Sequence, residues 1–324
     1  METRELGPLG AVSVLALGGG GLGQVWGETS REEAVATVRA AVDAGITLLD
    51  VAPMYGRGEA ERVVGEAFGG RLPAGVRLGT KVMVGDPGPG AVWEKVERSL
   101  GRSFEALQME QVDVLYLHSN IVPDGYVQPH FPEVAAKLAT PWTRYVEELR
   151  PAFERLVADG RIGAWGITGV GLPRTVLAAI ADDPAPGVVQ CVTNLLDSVG
   201  SIYVHDEPLR PREVLAAAAA RGCGVLGIRA VQAGALTDAM DRALPADDLD
   251  QRDFERAAPF RALARELGES SAALAHRYAL SMPGVGSVVL GVKNRTELAE
   301  CVAAAEHGPL DPAVIERIDA SVGR

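Results

Sequence analysis

Hydrophobic positions along this chain fall into short apolar, β-branched runs separated by longer stretches in which apolar residues recur at helical spacing. Residues 12–17, 46–50, 77–82, 112–117, 163–167, 188–192, 224–228 and 287–290 read as strands. Between them, 31–44, 93–107, 144–158, 212–221 and 260–278 read as amphipathic helices, and 309–322 reads as a last one. Helix starts carry local signals: Ser30 and Glu33 form a capping-box pattern, and Pro211 stands where a first helical turn tolerates proline. Regular alternation of strand and helix is the pattern of parallel βα units. It predicts an α/β fold, a closed (β/α)8 TIM barrel forming one domain over 1–324.

Two connections are longer than the rest, 119–143 and 229–259, and both follow the carboxyl end of a predicted strand. On a barrel that is the face where active sites are built, so both are expected to wall a pocket. Tyr126, His130, Phe131 and Trp142 in the first are candidate pocket-lining residues. Upstream, 5–13 contains Gly7-Pro8 and Gly10 and reads as a small hairpin closing the barrel floor. Gly18, Gly20 and Gly23 match GxGxxG, yet in a dinucleotide-binding βαβ unit that motif opens the helix, whereas here 24–29 intervene before the cap at Ser30. These glycines are expected to turn the chain or to permit close backbone approach.

Composition narrows the partners. A net charge of −12 with a pI near 5.0 disfavours nucleic acid or an anionic membrane surface and favours a small-molecule substrate. Cys191, Cys223 and Cys301 are widely spaced with no CxxC, so no disulfide framework or zinc site is expected, and Cys191 reads as core packing. The first six residues do not resemble a signal peptide, and no window is long and apolar enough to span a bilayer, which makes the cytoplasm the expected location.

Asp50, Lys81 and His118 each sit at the carboxyl end of a predicted strand, and Tyr55 follows Asp50 closely. Tyrosine titrates near about pH 10 in water. A neighbouring ammonium favours the phenolate, so Lys81 is expected to lower the Tyr55 value and make it a usable proton donor, with Asp50 holding Lys81 in place. His118 is placed to orient a carbonyl oxygen or share its proton. Singly, each has an ordinary structural reading as an ion pair, a pocket-edge aromatic or a satisfied histidine. Convergence of all four at one rim is what points to chemistry. His205, His276 and His307 read as structural or solvated, and the alanine run 216–220 as helix propensity.

The segments GITLLDVAPMYGRGEAERVVGEA (45–67), RLGTKV (77–82), VDVLYLHS (112–119), LVADGRIGAWGIT (156–168) and VVLGVKNRTELAE (288–300) resemble the aldo-keto reductase family over nearly the whole chain. The wording DVAPMYGRGEAE is closest to members that oxidise aldoses or related sugars. The resemblance implies a catalytic tetrad of Asp50, Tyr55, Lys81 and His118, and NAD(P)-dependent interconversion of a carbonyl (aldehyde, ketone or aldose) and an alcohol by hydride transfer, with Tyr55 as general acid/base. It also implies cofactor-binding positions at Thr168, Gln190, Arg229, Gly291, Lys293, Asn294, Glu297 and Glu300. Gln190 is similar to the glutamine that contacts the nicotinamide carboxamide, whereas Thr168 and Gly169 stand where serine and asparagine are usual. Arg229 replaces a common serine, and a guanidinium there would bind pyrophosphate directly. Glu297 occupies a position where arginine or glutamine often meets the adenosine 2′-phosphate. With Lys293 and Arg295 close enough to compensate, NADP is the implied cofactor and NAD the second. Two other readings stand beside this one: a non-catalytic, cofactor-sensing subunit, since some relatives are regulatory partners of channels, and a Schiff-base aldolase with Lys81 as nucleophile, which leaves Tyr55 and 291–300 unexplained.

Overall fold

The computed structural model describes residues 1–130 and 137–324. Strands β1 (Thr3–Glu5) and β2 (Ala11–Ser13) pair antiparallel as a hairpin. The barrel strands are β3 (Leu15–Gly18), β4 (Leu48–Asp50), β5 (Arg77–Val82) and β6 (Val112–Leu117), followed, after the small parallel pair β7 (Asn120–Val122) and β8 (Ala139–Pro141), by β9 (Ile162–Thr168), β10 (Val188–Val192), β11 (Gly224–Ile228) and β12 (Ser287–Leu290). They close in the order β3-β4-β5-β6-β9-β10-β11-β12, with β12 pairing parallel to β3. The fold is a (β/α)8 barrel. Closure sets the first and last βα units side by side, which places the helices Arg31–Asp43 and Arg295–Glu306 next to each other.

Side chains alternate across the barrel wall as a strand requires. Leu49, Leu115, Leu117, Val189 and Cys191 face the helices, while Leu48, Val114, Tyr116, Val188 and Leu226 point inward and join Leu6, Leu9 and Val12 of the hairpin in a separate floor cluster. Tyr116 fills the barrel because two neighbours lack side chains. A Cβ on Gly79 would lie 3.0 Å from its ring, and one on Gly166 2.7 Å. Asp50 and Lys81 are therefore inward residues one layer above a floor of aliphatic side chains and Tyr116.

Three expectations change at the element level. The run 12–17 belongs to two elements, β2 and β3, because an apolar stretch interrupted only by Ser13 conceals the step at Val14 between hairpin and barrel. The stretch 260–278 is two helices, Ala258–Leu267 and Ser271–Ser281; Gly268 leaves the first at φ 72, and the Ser270 side chain caps the second by accepting from the Ala273 amide. The stretch 144–158 starts earlier, at Trp142, and widens into a π turn at Tyr145–Leu149 just before Pro151, which has no N–H to return to the preceding turn.

Candidate active site

Four side chains meet at the carboxyl rim of β4, β5 and β6. Lys81 is 1 % exposed and Asp50 3 %. The Lys81 Nζ donates to Asp50 Oδ2 at 2.7 Å and to the Val51 carbonyl at 2.9 Å. The other carboxylate oxygen, Oδ1, accepts from Gln190 Nε2 at 2.8 Å. One buried carboxylate thus ties the ammonium to the glutamine implied in carboxamide contact, a link no sequence spacing reveals. The Tyr55 ring lies under Lys81 Nζ, 4.8 Å from centroid to nitrogen, and packs edge-on against the His118 ring at 5.9 Å and 86°.

The glycine-rich loop after β3 holds the Tyr55 turn. A Cβ on Gly23 would lie 2.6 Å from the Tyr55 backbone carbon, and one on Gly56 2.7 Å from the Gly23 carbonyl oxygen. Close backbone approach therefore accounts for these glycines. A single helical turn, Gly19–Leu22, follows β3 directly, but it is four residues long and sits in a closed barrel, so the rejected βαβ reading stays rejected.

Electrostatics differ from the simple expectation for Tyr55. Lys81 does pull its pKa down, but burial pushes harder, and the phenol ends above its ordinary value and protonated. Burial likewise raises the Asp50 carboxyl against the opposing pull of Lys81 and the Gln190 bond. The Lys81 ammonium is held above its usual range by Asp50 and Tyr55, which together outweigh its burial. Burial, helped by the Lys81 charge, lowers His118 to about 3, so the imidazole is neutral at physiological pH.

The implied cofactor positions spread along the same face. Thr168 ends β9, and its hydroxyl donates to the Leu117 carbonyl at 3.1 Å. Arg229 leaves β11 with φ 59, one of three non-glycine residues in 229–233 in the left-handed region; its Nε donates to Gln232 Oε1 at 2.8 Å. Its Nη2 lies 3.6 Å from Asp250 Oδ1 and has no hydrogen-bond partner among the described residues, although the side chain is only 10 % exposed. Gly291 lies beside Trp26. The Asn294 side chain caps the helix Arg295–Glu306 by accepting from the Glu297 amide at 2.9 Å. Lys293 pairs with Glu297 at 2.8 Å and approaches Asp241 at 3.6 Å. Asn294, Arg295 and Glu300 line an open groove of about 840 Å³, together with Glu33 from the neighbouring helix. Glu33 was readable only as a cap. Its place in the groove follows from barrel closure, which makes the first and last βα units neighbours.

Of the loop aromatics, Trp142 packs on Tyr145 at 5.7 Å and against the helix-side core, and Tyr126 packs on Val122, Ala139 and Leu172. His130 meets Asp206 at 3.1 Å across two loops, and Phe131 lies outside the described residues. Exposed Val25, Met54, Val127 and Ile202 all stand on loops of this face and add an apolar component that sequence reading did not single out. Cys191 is buried, as expected, and its thiol is pushed up. His205 and His276 are buried, and His307 is exposed. Among the described residues no helix is long and apolar enough to cross a membrane, and no group of His, Cys, Asp and Glu could hold a metal ion.

With this geometry in place, comparison with known proteins decides the family. The model of the Aldo/keto reductase family matches residues 14–322. The chain belongs to the aldo/keto reductase family. It is 28% identical to L-galactose dehydrogenase of Arabidopsis thaliana over 307 residues, covering 94% of this chain and 88% of that protein. It is 27% identical over 318 residues to a probable voltage-gated potassium channel subunit beta of Oryza sativa subsp. japonica, covering 90% of this chain and 88% of the subunit. Its fold matches an aldo-keto reductase from Klebsiella pneumoniae in complex with NADPH at TM-score 0.68 and 22% identity, covering 98% of this chain and 94% of the other.

Proposed function

We propose that this aldo/keto reductase is an NAD(P)-dependent oxidoreductase that interconverts a small-molecule carbonyl and its alcohol, with Tyr55 as the proton-transferring group. The observation that carries the reading is the buried Asp50–Lys81 pair set against the Tyr55 ring, with a neutral His118 packed on the other side. A protonated phenol is the acid that reduction of a carbonyl requires. Lys81 stabilises the phenolate left after transfer, which limits how weak an acid burial can make it. A neutral imidazole keeps an N–H to donate to the carbonyl oxygen without adding a second buried cation beside Lys81.

The residues present fit a nicotinamide dinucleotide. Arg229 offers a buried guanidinium N–H with no hydrogen-bond partner among the described residues, suited to a pyrophosphate oxygen, and the groove at Asn294–Glu300 is suited to an adenosine. Bound there, the dinucleotide supplies the hydride. Gln190 holds the Asp50 carboxylate with its amide nitrogen and leaves its oxygen for the carboxamide. NADP is the proposed cofactor, consistent with the solved NADPH complex of the Klebsiella relative. L-galactose dehydrogenase among the relatives makes aldoses a substrate class to assay beside aldehydes and ketones.

Tyr55→Phe tests the reading. Turnover should fall by orders of magnitude while NADPH affinity by tryptophan quenching stays near wild type, because the hydroxyl acts on the reacting oxygen and not on the nucleotide. Substantial turnover in this variant would remove Tyr55 from its role. The channel-subunit relative keeps one other reading in view. Tight dinucleotide binding with no turnover across aldehydes, ketones and aldoses would favour a cofactor-sensing subunit instead.

A further inference from the structure

Arg295 lines the groove proposed for the adenosine end and Lys293 lies just outside its lining, and a carboxylate already matches each. Lys293 is paired with Glu297 and faces Asp241 on its other side. Arg295 is gripped by Glu33 of the helix Arg31–Asp43: Oε1 accepts from the Arg295 backbone amide at 3.0 Å and from Nε at 3.1 Å, and Oε2 accepts from Nη2 at 2.9 Å. The side-on fork of the guanidinium, the edge best shaped for a phosphate, is therefore filled by a group of the protein itself. A carboxylate and a phosphate cannot share that edge. Arg295 in turn holds Glu33 below the usual carboxylate range, so Glu33 is charged throughout the neutral range.

Resting on the dinucleotide reading above, we propose that Glu33 is a selectivity-determining residue, an internal competitor that occupies Arg295 and keeps the preference for a 2′-phosphorylated dinucleotide low. NADPH engages Arg295 only by displacing Glu33, whereas NADH, with a free 2′-hydroxyl, leaves the pair intact. Because the Arg295 side chain is 59% exposed, the competition is screened and worth a few-fold change rather than orders of magnitude.

The test measures dissociation constants of NADPH and NADH by tryptophan quenching for the wild type, Glu33→Gln, Arg295→Gln and the double variant, at low and high salt. Glutamine keeps the side-chain length and removes the charge, and Ser30 caps through the Glu33 backbone amide, so the helix start is retained. Glu33→Gln should tighten NADPH about two- to fivefold with NADH unchanged, the gain shrinking as salt rises. Adding Arg295→Gln should cancel the gain, since the freed guanidinium is its source. Equal shifts for both cofactors, or none, would overturn the proposal while leaving the dinucleotide reading intact. Failure of the wild type to bind either dinucleotide would overturn both.

Discussion

Lys81 is a cation that water does not reach, and among the described residues Asp50 is its only carboxylate partner within hydrogen-bonding distance. Lys81→Met leaves that carboxylate buried and uncompensated, which costs about 3–5 kcal/mol and should appear as a large drop in melting temperature. Asp50→Asn in the same chain should restore part of it by removing the orphaned charge; no recovery would mean the pair is not the source of the loss. His118 makes a pH prediction of definite sign. Its ordinary value is 6.5 and burial lowers it to about 3. Between those values the unfolded chain binds a proton that the folded chain refuses, so its contribution is complete above pH 6.5 and is lost as pH falls towards 3. Urea midpoints at pH 7 and pH 5 should fall further in the wild type than in His118→Gln. The lowered carboxylates Glu33 and Glu59 lose their contribution mainly below their ordinary value of 4.5, and they do so equally in both proteins. The buried His205 and His276 act equally in both proteins.

At the scale of elements, what was legible depended on whether the information is local. The strands 77–82, 112–117, 188–192, 224–228 and 287–290 match their observed bounds, and in all but the first the apolar run ends there in a polar or glycine residue. Asp50 and His118 could be placed from sequence for the same reason, each being the polar residue after an apolar run, and Lys81 as the charged residue near the end of its strand. The break within 260–278 was lost because the apolar spacing continues in phase across it, and only Gly268 and Ser270 mark it. Gly268 has open space around its Cβ position, so strain alone opposes a side chain there, and Gly268→Ala should cost about 1 kcal/mol in thermal or urea unfolding. A neutral or stabilising effect would show that the left-handed turn is not what ends the helix. The pairings Glu33–Arg295 and Gln190–Asp50 carry no local signal at all. They arise from barrel closure and from inward side chains sharing one layer.

Across the whole molecule, the two loops that flank the proposed pyrophosphate site are bound into one body. Asp250 on the connection after β11 accepts from the Ser201 amide at 3.2 Å and the Ser201 hydroxyl at 2.8 Å, both on the loop after β10, and from Arg242 at 3.3 Å. Asp253 accepts from Gln232 at 2.8 Å, and Gln232 in turn accepts from Arg229. Gly200 permits the contact, since a Cβ there would lie 1.8 Å from Asp250 Oδ1. The guanidinium of Arg229 is therefore oriented before any ligand arrives, and binding need not supply the free energy of ordering these loops. Asp250→Ala should transfer that cost to binding. In the free variant, amide exchange should accelerate across 229–259 and at 198–203, and saturating NADPH should slow it again. Affinity should fall for NADPH and NADH by the same factor, because the pyrophosphate is common to both, in contrast to the NADPH-selective effect of Glu33→Gln. Unchanged exchange in the free variant would show that the loops are ordered by other contacts. A loss confined to one cofactor would place Asp250 at the adenosine end and not beneath the pyrophosphate.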